Sequence, residues 1–455
     1  MIDRQYIERF PWIMFFCALA LVGVGLAGIY ASTAGQFNAD RSDRLLSGYF
    51  GKQIIWTAIA LVAFFIAMMP HYLRIGQHSY LLFAIGLMLL VGLMALKMTN
   101  TRIPGVVSPI RGAWSWIRMP GIPAQLQPSE VVKIAFIMSL AWYLRWRKNY
   151  RRFSGLFLPF IITLIPTGLI LWQPDLGTAM LLMPVLFAML FAAGAKAKHL
   201  LIIIAMGIAV VPLFYLKMEG YQKNRIDAWL LASKAEQFNA ADVRAEEEGR
   251  KLSQEEKDEL TAGVDRSPSY WLWRLLNADT WSEHPQGFKE VSRKFTILRS
   301  GPAYHLLQAK TAVGAGGFTG RGWLKGTQTR YELLGEAHTD FIFAVIAEQW
   351  GWLGAISVLL LYFGLFVFGL DVGLSTTEPF GKLLSVGVVA LIATQSLISV
   401  AMTTGMLPVT GITMPFMSYG GSSMVSSFLA LGLLCNVATR RMYLIAPRPF
   451  EWRGG

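Results

Sequence analysis

Three acids and a lysine stand where apolar segments begin, and an ionised group in such a place is costly without a task or a partner. The first is Asp340, in His338-Thr339-Asp340, at the mouth of an apolar run that continues to about Leu370. An acid and an imidazole delivered there suit proton transfer. The placement equally suits a helix start, with Thr339 or Asp340 capping free N–H groups and the dipole favouring the anion. Glu130 and Lys133 open a second apolar segment, in Gln127-Pro128-Ser129-Glu130-Val131-Val132-Lys133. Three apart on a helix, they share a face and can pair. Asp175, in Gln173-Pro174-Asp175-Leu176-Gly177-Thr178, marks a tight turn between two further apolar runs. Each acid alone reads as a cap or half of an ion pair. Jointly they predict a polar cavity open to one side of the bundle.

The elements that must hold these residues are apolar helices. Of the 455 residues 54% are hydrophobic and only 15% charged, with mean hydropathy +0.45. The apolar residues fall in runs of membrane-spanning length. Ten spans are expected, near 12–31, 53–69, 78–97, 129–145, 155–172, 177–194, 199–217, 341–369, 383–405 and 420–438. The first is too long and poorly flanked for a cleaved leader. The expected fold is an all-α polytopic membrane protein with a long extracytoplasmic loop between spans seven and eight.

The net charge of +13 does not indicate a nucleic-acid partner, because the basic residues cluster in short loops between spans. Arg74, Arg145, Arg147, Lys148, Arg151, Arg152, Lys196, Lys198, Arg440 and Arg441 mark one side as cytoplasmic, both termini included, and suit contact with anionic lipid. Cys17 and Cys435 both lie in apolar runs, which argues against a disulfide and offers no metal-ligand spacing.

Four polar stretches face the other side. Residues 98–128 carry Arg102, Arg111, Trp114, Trp116 and Arg118, which suit interfacial anchoring or a phosphorylated sugar ligand. Residues 227–299 hold 14 of the 28 acidic residues and 11 basic ones, with an aromatic island at Tyr270, Trp271 and Trp273. The Gly-rich stretch 314–323 has no preceding strand, so it marks a bend or re-entrant segment rather than a dinucleotide site. Residues 406–421, with two prolines and three glycines, cannot form a plain helix and are expected to fold over an opening between spans. The chain therefore divides into spans at 1–225, a charged insertion at 226–300, a Gly-rich loop at 301–340, and further spans with a tail at 341–455.

QPSEVVK, WQPDLGT, GRGWLKGTQ, EAHTDFIFAVIAE and PVTGITMPFMSYGGSS resemble, in order, the motifs of the SEDS family of bacterial membrane proteins, RodA and FtsW among them. Gly-Trp-x-x-Gly-Thr-Gln is more similar to RodA, the elongation member. The resemblance implies a peptidoglycan glycosyltransferase that polymerises lipid II, an undecaprenyl-diphosphate-linked disaccharide, on the outer face of the cytoplasmic membrane. It places Asp340 on the family's essential aspartate, Trp116 on its loop tryptophan, and Glu130, Lys133 and Asp175 on cavity positions, with His338 beside the aspartate. It also implies a class B penicillin-binding protein as partner.

Two departures stand out. Leu334-Gly335-Glu336 replaces the family's usual Leu-Pro-Glu, which is expected to loosen the loop's entry to the site, and the insertion is foreign to typical members. The implied chemistry is inverting: the acceptor's 4-hydroxyl attacks an α-linked sugar diphosphate, with Asp340 as general base. Positive charge for the leaving diphosphate comes from Lys133, Arg102, Arg111 or Arg321, or from a divalent cation, Mg or Mn. A lipid II transporter and a non-catalytic scaffold are the other classes. A transporter should show an inverted repeat and midplane charges; neither is found in the sequence.

Overall fold

Length and apolarity decide which segments become long helices, and they do so where hydropathy indicates. A computed structural model describes residues 9–33, 48–101, 103, 114–118, 125–147, 151–173, 175–217, 222, 225–226, 229, 302–331 and 333–440. Arg102, Arg111, Lys148, the insertion from 230 onward with its aromatic island, and the tail beyond Arg440 lie outside the described residues.

In chain order the helices are α1 (Trp12–Thr33), α2 (Tyr49–Met68), α3 (Tyr72–Gln77), α4 (Ser79–Met98), α5 (Pro128–Leu144), α6 (Phe157–Trp172), α7 (Leu176–Ala193), α8 (Ala197–Lys217), α9 (Pro302–Gly316), α10 (Thr327–Arg330), α11 (Ile342–Ser375), α12 (Pro379–Thr403) and α13 (Gly421–Arg440). A two-residue antiparallel ribbon, Ile117–Arg118 with Gln125–Leu126, precedes α5. Helices stand at all ten expected spans, and eight are long and apolar enough to cross a membrane. The other two are α8, whose apolar part is shorter, and α5. Helix α5 has 17 residues, about 25 Å of rise against a hydrocarbon core of about 30 Å.

The chain alternates direction, so the polar residues collect at one end. There Lys97 Nζ donates to Trp172 O at 2.8 Å. At the opposite end Arg145 pairs with Glu378 at 2.6 Å, and Arg440 donates to the Met69 carbonyl at 2.9 Å. Among the eight long apolar helices α12 and α13 are the most enclosed, and the shorter α5 has 14 of its 17 residues buried. Helix α13 packs on α2 at Gly432, where a Cβ would lie 2.7 Å from the Phe64 carbonyl. A small residue there lets the two backbones approach.

Two features depart from the hydropathy reading. Residues 404–420 do not cover the bundle but enter it: Ile412, Met414, Phe416 and Met417 are all below 5% exposure. Irregular backbone in such a place needs internal partners. Gln53 Nε2 donates to Ser418 O at 3.1 Å while its Oε1 accepts from Gly420 N at 3.3 Å. Gln395 donates to Thr413 O at 2.8 Å, and the Tyr362 hydroxyl to Pro415 O.

The second departure is in α11, which is broken. Gly351 has φ 66° and ψ −159°, a conformation that needs glycine. Across the break Trp352 N and Leu353 N turn to Gly317 O and Phe318 O at 2.9 and 3.2 Å. The carbonyls of Glu348 and Gln349 accept in return from Arg321 N and Gly322 N at 2.9 and 3.1 Å. The Gly-rich stretch thus acts as the partner of a bend. Residues 342–349 are buried in protein, whereas the part after Gly351 is largely exposed on its apolar faces.

Candidate active site

The turn that presents Asp340 is built on one carbonyl. The N–H groups of Thr339, Asp340 and Phe341 converge on Glu336 O at 3.1, 3.1 and 3.4 Å. Glu336 takes φ 55° to allow this, a conformation costing a non-glycine residue roughly 1 kcal/mol. The helix itself starts at Ile342 with Phe341 as N-cap and no side-chain cap, and the Thr339 hydroxyl turns back to Glu336 O. The cap residue is therefore neither Thr339 nor Asp340. Asp340 stays half-buried ahead of the helix.

Gly335 does not loosen this entry. A Cβ there would come within 2.2 Å of the His305 imidazole, so the backbone is pressed against α9. His338 is held on its other side: its carbonyl accepts from Tyr419 N at 2.8 Å, and its ring lies 4.3 Å from that of Tyr49 and 5.6 Å from that of Tyr419. Burial, with the Tyr49 phenol second, pushes the Tyr419 hydroxyl above its ordinary pKa, which keeps it a proton donor.

The buried loop 404–420 reaches both halves of the site. Near its start, a Cβ on Gly411 would sit 3.6 Å from Asp340 Oδ2. At its other end the first turns of α13 meet α5. Ser426 Oγ donates to Glu130 Oε2 at 2.6 Å, while Lys133 Nζ pairs with Glu130 Oε1 at 2.8 Å. Glu130 and Lys133 are only 5% and 2% exposed. They are the i,i+3 pair the spacing suggests, enclosed by the bundle. Asp175 is a cap in the full sense: it accepts from Thr178 N at 3.0 Å, Gln127 Nε2 at 2.9 Å and Ser129 Oγ at 3.5 Å.

The remaining candidates lie further off. Trp116 is half-buried beside Ser115, whose hydroxyl donates to Gln173 O at 3.2 Å, and the packed tryptophan of that segment is Trp114. Arg321 is exposed, and its backbone bonds at Glu348, about 12 Å along the helix from Asp340. The structure does not bring its backbone to the aspartate. Two charged residues escaped the sequence reading. Glu348, fully buried, accepts from Gln328 N at 2.7 Å, Thr329 N at 3.2 Å, and the hydroxyls of Thr329 and Thr327. An acid inside an apolar run was the available signal. Arg225 also reaches Gly411, 3.4 Å from the same Cβ position that Asp340 approaches; no local pattern reveals that.

Apolar helices that gather carboxylates, a lysine and an arginine at one end, around a buried loop, define a polytopic membrane protein with a charged site. The profile of the FtsW/RodA/SpoVE family of cell cycle proteins matches residues 11–241 and 290–443. The chain belongs to that family. Peptidoglycan glycosyltransferase RodA of Treponema pallidum is 28% identical to it, over 96% of this chain and 99% of its own length. Stage V sporulation protein E of Bacillus subtilis is 30% identical, over 95% and 97%. A chain from a peptidoglycan synthase complex that coordinates polymerization and crosslinking shares the fold with TM-score 0.63 and 23% identity, over 94% and 97% of the two chains. So does the rod shape determining protein RodA of Thermus thermophilus, with TM-score 0.57 and 22% identity, over 95% and 97%.

Proposed function

We propose that this chain is a peptidoglycan glycosyltransferase that polymerises lipid II, with Asp340 as general base, in cell-wall elongation. The acceptor sugar's 4-hydroxyl gives its proton to the Asp340 carboxylate while its oxygen attacks the anomeric carbon of the donor. The bond from that carbon to the diphosphate oxygen breaks with inversion, and the polyprenyl diphosphate leaves with the electron pair. One observation carries the reading: a half-buried carboxylate just ahead of a helix whose N-cap residue is Phe341, facing a buried loop and an arginine. General-base assistance of this kind contributes about 10²–10⁴-fold. In this reading Glu130, Lys133 and Asp175 shape the wall behind the site, and Trp116 and His338 flank the sugar.

The site faces outward in this proposal, because Arg74, Arg145, Arg147, Arg151, Arg152 and Arg440 gather at the opposite end, as cytoplasmic loops do. A class B penicillin-binding protein is the proposed partner, in keeping with the synthase complex that shares the fold. Among the described residues no three His, Cys, Asp or Glu side chains form a metal-binding group. A divalent cation used by the reaction would be held in part by the diphosphate oxygens of the substrate.

A broken helix is also a transporter feature, where free carbonyls coordinate an ion. Here the carbonyls at the break are taken by Arg321 N and Gly322 N, which favours the enzyme. The test incubates purified protein with lipid II, alone and with the transpeptidase, and resolves glycan on a gel. Polymer from the wild type and none from Asp340→Asn is expected. Lipid II crossing vesicles without polymer under any condition sinks the reading.

A further inference from the structure

The proposed reaction needs a cation within reach of the departing diphosphate. Lys133 is engaged with Glu130, and the Arg321 backbone bonds at the far end of the helix. Arg225 fits the place. Its segment is docked by Trp229, whose Nε1 donates to Gly405 O at 3.0 Å and whose ring packs with the cluster of Leu306, Ala309 and Phe341. Four residues earlier in the chain, the Arg225 guanidinium lies against Gly411. A Cβ there would sit 3.4 and 3.5 Å from its two terminal nitrogens and 3.6 Å from Asp340 Oδ2. Guanidinium and carboxylate thus approach one Cα from two segments. Gly411 itself has φ 76°, so two separate reasons keep a side chain out. A guanidinium presents two parallel donors, which suit phosphate oxygens and a carboxylate alike. Asp340 and a diphosphate would compete for the same fork.

We propose that Arg225 is a diphosphate-binding residue of the reaction centre, holding the Asp340 carboxylate when no substrate is present and turning to the polyprenyl diphosphate in the complex. The proposal rests on the reading of Asp340 given above. As substrate binds, phosphate oxygens take the guanidinium and release the carboxylate to the acceptor hydroxyl.

The test titrates purified wild type, Arg225→Gln, Arg225→Lys, Gly411→Ala and Asp340→Asn with undecaprenyl diphosphate, using phosphatidylglycerol as a second anionic lipid. Arg225→Gln should weaken undecaprenyl diphosphate binding about tenfold or more, the scale of hydrogen bonds to charged groups, and leave phosphatidylglycerol unchanged. Arg225→Lys should fall between. Asp340→Asn should bind several-fold tighter than wild type, because the competitor is gone. Should Arg225→Gln not fold, Gly411→Ala occupies the shared space with both charges kept, and its affinity should also drop. Unchanged undecaprenyl diphosphate affinity in a folded Arg225→Gln or Gly411→Ala overturns the proposal. So does an equal loss for both lipids, or an Asp340→Asn that binds no tighter. These titrations do not depend on turnover, so an active Asp340→Asn would end the general-base reading and leave the Arg225 measurement to be judged separately.

Discussion

Two carboxylates bracket the short helical segment before Gly351, and they are treated in opposite ways. Asp340 precedes the segment, half-buried on a turn strained at Glu336, with an arginine near. Glu348 ends it, fully buried, its oxygens accepting from two backbone amides and two hydroxyls. Sequence assigns them the same chemistry; surroundings separate them. A buried carboxylate that accepts four hydrogen bonds is fixed in place by them. Glu348 therefore holds the loop 320–330 to the bend, while Asp340 stands beside Gly411 and the Arg225 guanidinium.

The contrast can be broken by mutation, beginning with the largest effect. Asp340→Asn should cut polymerisation by about 10²–10⁴-fold with the melting temperature nearly unchanged. Loss of fold with activity would put Asp340 in the same class as Glu348. Lys133→Met leaves Glu130 buried without its cation and should destabilise by about 3–5 kcal/mol, read as a lower melting temperature in detergent. Exchanging Glu130 and Lys133 asks whether the pair is only structural: Ser426 then faces an ammonium, and activity should fall as far as in either alanine variant. Full activity of the exchange would reduce the pair to packing.

Glu348→Ala strips the amides of Gln328 and Thr329 of their acceptor. It should cost about 1–3 kcal/mol for each buried donor left unsatisfied, with activity following stability. An inactive but fully stable Glu348→Ala would move Glu348 into the chemistry. Gly335→Ala drives a methyl group into His305 and should cost about 1–3 kcal/mol. Combining it with His305→Ala should restore most of that loss. The smallest effect is expected for the insertion: replacing residues 230–299 with a short Gly/Ser linker, which leaves Trp229 in place, should preserve basal polymerisation. Each doubling of loop length changes closure by only about 0.6 kcal/mol. Stimulation by a co-expressed transpeptidase is what should suffer, and an inactive folded deletion would place the insertion in the site.

Helix positions were legible because length and apolarity are local properties, and so was the pairing of Glu130 with Lys133, fixed by a three-residue spacing. The break at Gly351 was not, since Trp350-Gly351-Trp352 reads as continuous apolar sequence and its cause lies in residues 317–322. Glu348 was hidden by averaging over an apolar run, and its donors stand about twenty residues upstream. The loop 404–420 showed by its prolines and glycines that it was irregular. Its inward course depends on Gln53, Gln395 and Tyr362, which come from three separate helices. Arg225 was missed for the same reason: Asp340 and Gly411 meet it only in space.

The exchange of backbone partners across Gly351 has a consequence in time. Arg321, Gly322, Trp352 and Leu353 hold four amide protons in one ladder shared by two distant stretches of chain. Neither Arg321 nor Gly322 can be released singly without stranding the carbonyl of a buried residue, Glu348 or Gln349, and the same strap carries the acceptors of Trp352 and Leu353. The four should therefore open as one cooperative unit and exchange with deuterium at a common rate. That rate is a clock for the detachment of the glycine-rich strap from the helix that Asp340 leads, and Glu348→Ala should speed all four together.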